Sequence, residues 1–453
     1  MSPNFVPTGH LQKRLGLPFA IAIAAGSVIG SGIMRTPGVI ANEVPIVEIA
    51  MLLWVLGGIY VLLSCNVAAE MTAALPRAGG IYVPVREAYG DGLGMLTGWA
   101  NWTAYIAGSA ALALACADFL GTIFEPIAAN KAIVAAAILF AVTVLNWIGV
   151  QEGRWIQIIG TAIKIILLVG VIIAAFLVDP VIATADPVPP VPLSTLGIVA
   201  LITALQIILG AYDGWIGPAN FAEEDKDPAR NIPRALFHSA FLVIAIYLAL
   251  NIALFAILDM TTLRDSDLPV ALLIEALLGP AGHVAVALLA TFMALITLNG
   301  LVMSAPRILF AMARDRLFLH EATRVNRGGT PWVALLCGTA VAIPLLFSGG
   351  FIFVFKIQTA LGIFAGTIYC AAFFTLRQKY PDLPRPFRAI GYPALPALIL
   401  LINAALFISV VVADPMGGIW IGALIAICLP VGMALGRRRR SIVETEPLIS
   451  TAP

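Results

Sequence analysis

Two short stretches of the chain combine residues that helices avoid with groups that can hold charge. The first is Gly26-Ser-Val-Ile-Gly30-Ser31-Gly32, followed by Pro37-Gly38. The second is Gly210-Ala211-Tyr212-Asp213-Gly214-Trp215-Ile-Gly217-Pro218. An interior glycine costs a helix about 1 kcal/mol and a proline about 3. Interrupting a helix frees N–H groups at the start of the outer piece and carbonyls at the end of the piece before it. The helix dipole makes the first set attractive to anions and the second to cations. The N–H groups of Gly30, Ser31 and Gly32, with the Ser31 hydroxyl, suit a carboxylate. Carbonyls near Val28 and around Gly210 and Ala211 suit an ammonium. Together they are complementary to a zwitterion, for which the α-amino acid backbone is the obvious candidate. Tyr212 and Trp215 flank the second stretch and could wall the ligand's side chain, with Asn101 and Tyr105 as further candidates.

The elements around these stretches are set by hydropathy. Of 453 residues, 60% are apolar and 11% charged, with a mean hydropathy of +0.99. Soluble domains carry about twice that share of charge. This excludes a soluble enzyme, a disordered tail protein and a nucleic-acid-binding module, and the net charge of +1 offers no pull on polyanions. A bilayer core about 30 Å thick needs about 20 apolar residues per crossing. About twelve runs qualify, near 17–40, 46–74, 93–120, 132–150, 156–178, 198–221, 235–257, 283–313, 331–347, 351–376, 395–413 and 417–435. The expectation is an all-α polytopic membrane protein. At a rise of ~1.5 Å per residue, Gly26–Gly32 lies roughly 14–22 Å from one edge and Gly210–Gly214 roughly 18–24 Å from the other. The first and sixth spans are therefore expected to break near mid-membrane, in opposite directions. Paired breaks in two inverted halves are the best sequence pointer to a transporter site.

Charge placement gives a direction. With the N-terminus inside, twenty-one of the 26 Lys and Arg fall in cytoplasmic segments, whereas Asp179, Asp186, Asp259, Asp265, Asp267 and Asp414 fall outside. That asymmetry follows the positive-inside rule, with both termini cytoplasmic. The external pieces near 179–197 and 258–282 are too short to form separate domains. Arg437 to Arg440 reads as a stop-transfer anchor touching anionic lipid. Cys65, Cys116, Cys337, Cys370 and Cys428 lie in apolar stretches without metal or disulfide spacing, and His10, His238, His283 and His320 share no ligand spacing. Neither a cofactor nor a metal is expected, and no partner subunit is indicated. The expected partners are the bilayer and a small molecule.

Intramembrane charges need partners or a function. Lys164 falls roughly 12 Å into the fifth span. Asp213 lies inside the second break, where it either caps the inner half-helix, the favoured reading, or faces the cavity and attracts a cationic side chain. Glu70 is expected to pair with a basic loop residue, and Arg35 and Lys356 to snorkel at the external face.

In these features the sequence resembles the amino acid–polyamine–organocation superfamily, in particular its L-type amino acid transporter branch. The likeness is carried by Gly30-Ser-Gly-Ile33 with Pro37-Gly38, Ala69-Glu70 and Leu75-Pro-Arg-Ala-Gly-Gly80-Ile-Tyr82. Ala211-Tyr-Asp-Gly-Trp215, Glu223-Glu224, Asn231-Ile-Pro-Arg234, Leu298-Asn-Gly300, Ala313-Arg-Asp315, Arg327-Gly-Gly-Thr-Pro331 and Pro384-Arg-Pro-Phe387 extend it in order. The resemblance implies a leucine-transporter-like fold of five plus five inverted helices with two more at the C-terminus. Residues 1–178 and 179–376 would form the two repeats, 377–435 the last two helices and 436–453 a cytoplasmic tail. It also implies alternating access at the cell membrane without enzymatic chemistry, and a Lys164 ammonium on carbonyls around Ala25 and Gly26, where sodium-dependent relatives hold sodium. The leading expectation is a sodium-independent amino acid exchanger or facilitator, with neutral side chains favoured. The alternative is a proton-coupled amino acid or amine transporter using Lys164. Gly210 departs from the pattern, since relatives usually carry a bulky aromatic gate there.

Overall fold

Because lipid offers no partner for backbone polar groups, a long apolar run must satisfy them within itself, and a helix does so. A computed structural model describes residues 11–176, 197–266, 268–413 and 415–445. The segment expected outside near 179–197 falls almost wholly outside these residues, as do His10, Asp267 and Asp414. From the N-terminus the helices are α1 (Leu17–Val28), α2 (Thr36–Glu43), α3 (Val47–Ala74), α4 (Tyr82–Tyr89), α5 (Asp91–Gly121) and α6 (Glu125–Ala129). The middle of the chain forms α7 (Lys131–Ile148), α8 (Val150–Ala175), α9 (Ile198–Ala211), α10 (Pro228–Ile257), α11 (Met260–Arg264) and α12 (Pro269–Leu278). The remainder forms α13 (Gly282–Arg314), α14 (Trp332–Leu346), α15 (Gly350–Lys379), α16 (Ala394–Ala413) and α17 (Pro415–Thr445). Among the described residues, extended structure amounts to isolated bridges such as Leu15 with Asp225.

Nine of these helices are long and apolar enough to cross a membrane, and α1, α9 and α14 are shorter apolar helices. These twelve fall on the twelve runs identified by hydropathy. The chain is a multi-pass membrane protein. Helices α5 and α13 form its centre, with 72% of the residues in their apolar windows buried, against 17% for α16 and 22% for α17. Small residues permit this close packing. A Cβ on Gly98 would meet Met312 Sδ at 2.7 Å, and one on Gly108 would meet Leu301 Cδ1 at 2.9 Å. Around this centre α3 packs on α10, and α1 packs on both α10 and α8.

Glu70 has the basic partners expected of it. Its buried carboxylate accepts from Arg377, from Arg385 at 3.1 Å and from the Ala389 N–H at 2.6 Å. Asn66 exchanges two hydrogen bonds with the Ile390 backbone. Together they tie the α15–α16 connection to α3.

Candidate functional site

The two glycine-rich stretches are where the chain leaves α-helical geometry and where two elements meet. Helix α1 stops at Val28; a short 3-10 helix, Ser31–Met34, follows before α2 begins at Thr36. Helix α9 stops at Ala211, passes through turns and continues as a 3-10 helix over Gly217–Glu224. Gly214, with φ of +108°, lies where side-chain-bearing residues are strained. A Cβ there would come within 2.9 Å of the Ser27 carbonyl carbon. Gly214 is therefore glycine for two reasons, its dihedral angle and its seat on the end of α1.

Gly26 proves to be a packing glycine and not part of the interruption. It is helical and buried, and a Cβ there would strike Thr161 Oγ1 and meet Gln157 Nε2 at 2.6 Å. The interruption starts three residues later. Its N–H groups also differ from expectation, because the Gly30 N–H donates to the Val28 carbonyl at 2.7 Å. The 3-10 turn leaves Ser31 and Gly32 as the N–H groups without an intrahelical acceptor. Gly32 is exposed, and a Cβ there would meet nothing within 4 Å. The Ser31 side chain lies outside the described residues.

Carbonyls at the ends of α1 and α9 converge on one hydroxyl. Tyr247 Oη on α10 lies 2.9 Å from the Val28 oxygen and 3.3 Å from the Ala211 oxygen. It carries one proton and each carbonyl has two lone pairs, so acceptor capacity remains at this point. Sequence reasoning missed Tyr247, because a tyrosine in an apolar run carries no mark of what its hydroxyl touches. Tyr212 is corrected in the same place. Its ring is fully buried against Trp54 and Tyr247, at 5.6 and 5.1 Å between centroids, so it braces the site from behind and does not wall it.

Lys164 stands below the end of α1, fully buried. Its Nζ donates to Gly26 O at 2.9 Å, Ile29 O at 2.8 Å and Thr297 Oγ1 at 2.8 Å. Three acceptors match the three protons of an ammonium. The expected acceptors around Ala25 and Gly26 become Gly26 and Ile29, since the Ala25 carbonyl is taken by the Ile29 N–H. Thr297 was not singled out by the sequence.

Asp213 does not cap the inner piece. The 3-10 helix Gly217–Glu224 is preceded by Ile216 and has no side-chain cap. Asp213 is instead an accessible residue whose carboxylate accepts from the Gly214 N–H and lies within electrostatic reach of Tyr60 and Tyr105. Gly210, one helical turn earlier, is exposed with nothing within 4 Å of a Cβ position. Ala211 and Trp215 are half-buried nearby. The half-buried Tyr105 accepts from Asn220 Nδ2 at 3.0 Å, whereas Asn101 is buried. Arg35 is exposed, its guanidinium 5.6 Å from the Phe119 ring centre.

The Leu15 end of the assembly is sealed. Leu15 exchanges backbone hydrogen bonds with Glu224 and Lys226, and Phe19 packs edge-on against Phe221 at 5.0 Å. Arg307 and Glu224 form a fully buried two-pronged ion pair at 2.8 and 3.2 Å. Beside it Arg314 holds Glu223, and Asp315 gathers Arg77, Arg86 and the Tyr82 hydroxyl.

Apolar spans around two adjacent helix ends, whose carbonyls meet one tyrosine hydroxyl, define a multi-pass membrane protein. Residues 15–434 match the amino acid permease family, and the chain belongs to it. It is 31% identical over 459 residues to the serine/threonine exchanger SteT of Bacillus subtilis, covering 95% of this chain and 98% of that one. It is 28% identical over 416 residues to the human b(0,+)-type amino acid transporter 1, covering 90% and 84%. It is also 28% identical over 428 residues to the mouse large neutral amino acids transporter small subunit 2, covering 90% and 78%.

Proposed function

We propose that this protein is a sodium-independent amino acid exchanger of the cell membrane, with both termini cytoplasmic. In this reading α1 with α2, and α9 with Gly217–Glu224, are the discontinuous first and sixth spans of two five-helix inverted repeats. Alternating access rocks one set of helices against the other around the site. The substrate carboxylate binds the Ser31 and Gly32 N–H groups, and the ammonium binds the spare lone pairs at Val28 and Ala211. Its side chain extends toward Gly210, Trp215 and Asp213. Lys164 fills, with a tethered cation, the place a sodium ion would otherwise take.

The observation that carries this reading is the meeting of the two interruptions, with one tyrosine hydroxyl touching a carbonyl from each. An exposed Asp213 favours side chains that donate hydrogen bonds, hydroxyl or ammonium, over purely apolar ones. The relative named as a serine/threonine exchanger is consistent with exchange.

Counterflow in liposomes tests it. Labelled serine, threonine or lysine should accumulate only when unlabelled amino acid is inside, with or without sodium and with or without a pH gradient. Dependence on a proton gradient would select the alternative, proton coupling through Lys164. Absence of counterflow with all twenty amino acids would overturn the proposal.

A further inference from the structure

A second buried polar system, made of neutral amides, lies beside Lys164 and has no part in holding the substrate. It begins on α7, where Asn146 Nδ2 donates to Asn299 Oδ1 on α13 at 3.0 Å. Asn299 Nδ2 donates onward to Gln157 Oε1 on α8 at 3.0 Å and to Gly153 O at 3.2 Å. Gln157 Nε2 then reaches Ala22 O on α1 at 3.3 Å, and Thr161 Oγ1 donates to the same oxygen at 3.1 Å. All four side chains are buried. Every amide has its direction set by its neighbours, so the chain points one way, from α7 to α1.

The surroundings are shaped to admit it. A Cβ on Gly153 would strike Asn146 Oδ1 at 2.5 Å, and one on Gly26 would strike Thr161 and Gln157. A Cβ on Gly300 would crowd Ile23 Cδ1 and Ser27 Oγ on α1, both at 3.2 Å. Leucines would fill this depth without desolvating a polar group, so amides flanked by glycines indicate a need for directional contacts. The polar face of α8 carries Gln157, Thr161 and Lys164, one turn apart each time, and grips the oxygens of Ala22 and Gly26 on α1 and of Ile29 just past its end. Lys164 holds the end of α1 at the interruption. Gln157 and Thr161 hold it nearly two turns further toward Leu15.

We infer that Gln157, Thr161 and Asn299 are positioning residues that set the sealed position of α1. Lys164 serves as the pivot, and the two bonds to the Ala22 oxygen are the contacts released when α1 swings away from α8. This deepens the alternating-access reading and rests on it. A neutral chain suits the task, because releasing an amide from a carbonyl moves no charge, whereas releasing an ammonium would strand one.

The test uses purified full-length protein carrying Ala20→Cys, a buried position on the inner part of α1. Labelling by a polar maleimide is measured well below Tm, with labelling of protein lacking that substitution subtracted. Gln157→Met and Thr161→Val should each raise the rate about fivefold, the effect of one net hydrogen bond. Thr161→Ser, which keeps the donor, should restore the parental rate. Asn299→Leu, one link further from α1, should act in the same direction. Leu361→Ala on α15 lowers Tm without touching the chain and should leave the rate unchanged.

Equal labelling of Thr161→Val, Thr161→Ser and parent would overturn the proposal, as would an equal rise with Leu361→Ala. If Gln157→Met does not fold, the Thr161 pair decides alone. Labelling needs no substrate, so an absence of counterflow would remove the amino acid reading and leave this result to be judged separately. In liposomes Thr161→Val should change the apparent KM on the face carrying the termini and leave that on the other face unchanged.

Discussion

The two interruptions are built differently. At the end of α1 the carbonyls of Gly26, Val28 and Ile29 all accept from buried side chains of α8, α10 or α13. At the end of α9 the Ala211 carbonyl meets Tyr247, while Asp213 and Gly210 face open space and Gly214 rests on Ser27. The first is fastened from three helices, and the second is seated on the first. In the proposed exchanger, the fastened interruption presents the same groups in every cycle and suits the invariant backbone of an amino acid. The open one can change its side chains at little structural cost and suits the variable part of the proposed substrate.

The comparison breaks most readily at Lys164. Replacing it with alanine leaves the Gly26 and Ile29 oxygens buried without their charged donor, worth about 1.5–3 kcal/mol each. Exchange should fall by at least about a hundredfold, on the same hydrogen-bond scale. Near-normal counterflow by well-folded Lys164→Ala would show that the first interruption is not fastened in this way. Gly214→Ala comes next, since it adds a clash with Ser27 to a strained dihedral angle worth about 1–3 kcal/mol. Uptake of all substrates should drop by about tenfold or more on that scale, with a lowered Tm. An effect confined to some side chains would instead place Gly214 in the selective half.

Gly210→Phe sharpens the contrast, because it fills open space without touching the fastened carbonyls. Competition assays should show about tenfold discrimination against long side chains, comparable to a misfit of one or two methylenes, with small ones unaffected. Asp213→Asn should weaken hydroxylated and basic amino acids relative to apolar ones without changing Tm. Tyr247→Phe is the smallest, removing one hydroxyl shared by both interruptions. It should raise KM roughly fivefold for every amino acid alike, as expected for about 1 kcal/mol.

The membrane spans were legible because lipid imposes one rule on every apolar run, and Gly and Pro at mid-depth stand out against it. The roles of individual residues at the interruptions were less so. Gly26 and Gly30 are alike in the sequence, yet one makes room for Thr161 and the other lies within the interruption. Asp213 read as a cap because aspartate commonly is one, but the inner piece starts too far along the chain to be reached. Tyr212 and Tyr247 look equivalent as aromatics in apolar stretches. One braces the core with its ring, and the other joins two elements through its hydroxyl. Gln157 carries no mark in the sequence and Asn299 stands only within the Leu298-Asn-Gly300 likeness, and neither reveals that their amides lie in line.

By itself the sequence determined that this chain crosses a membrane many times and where its helical hydrogen bonding would fail. Both depend on local composition, hydropathy over about 20 residues and the propensity of glycine and proline. Only the tertiary structure decided which freed carbonyls are already occupied, which carboxylate faces open space and which amides connect. Those depend on distances between residues far apart in the chain, and a hydrogen bond exists only where donor and acceptor meet within about 3 Å.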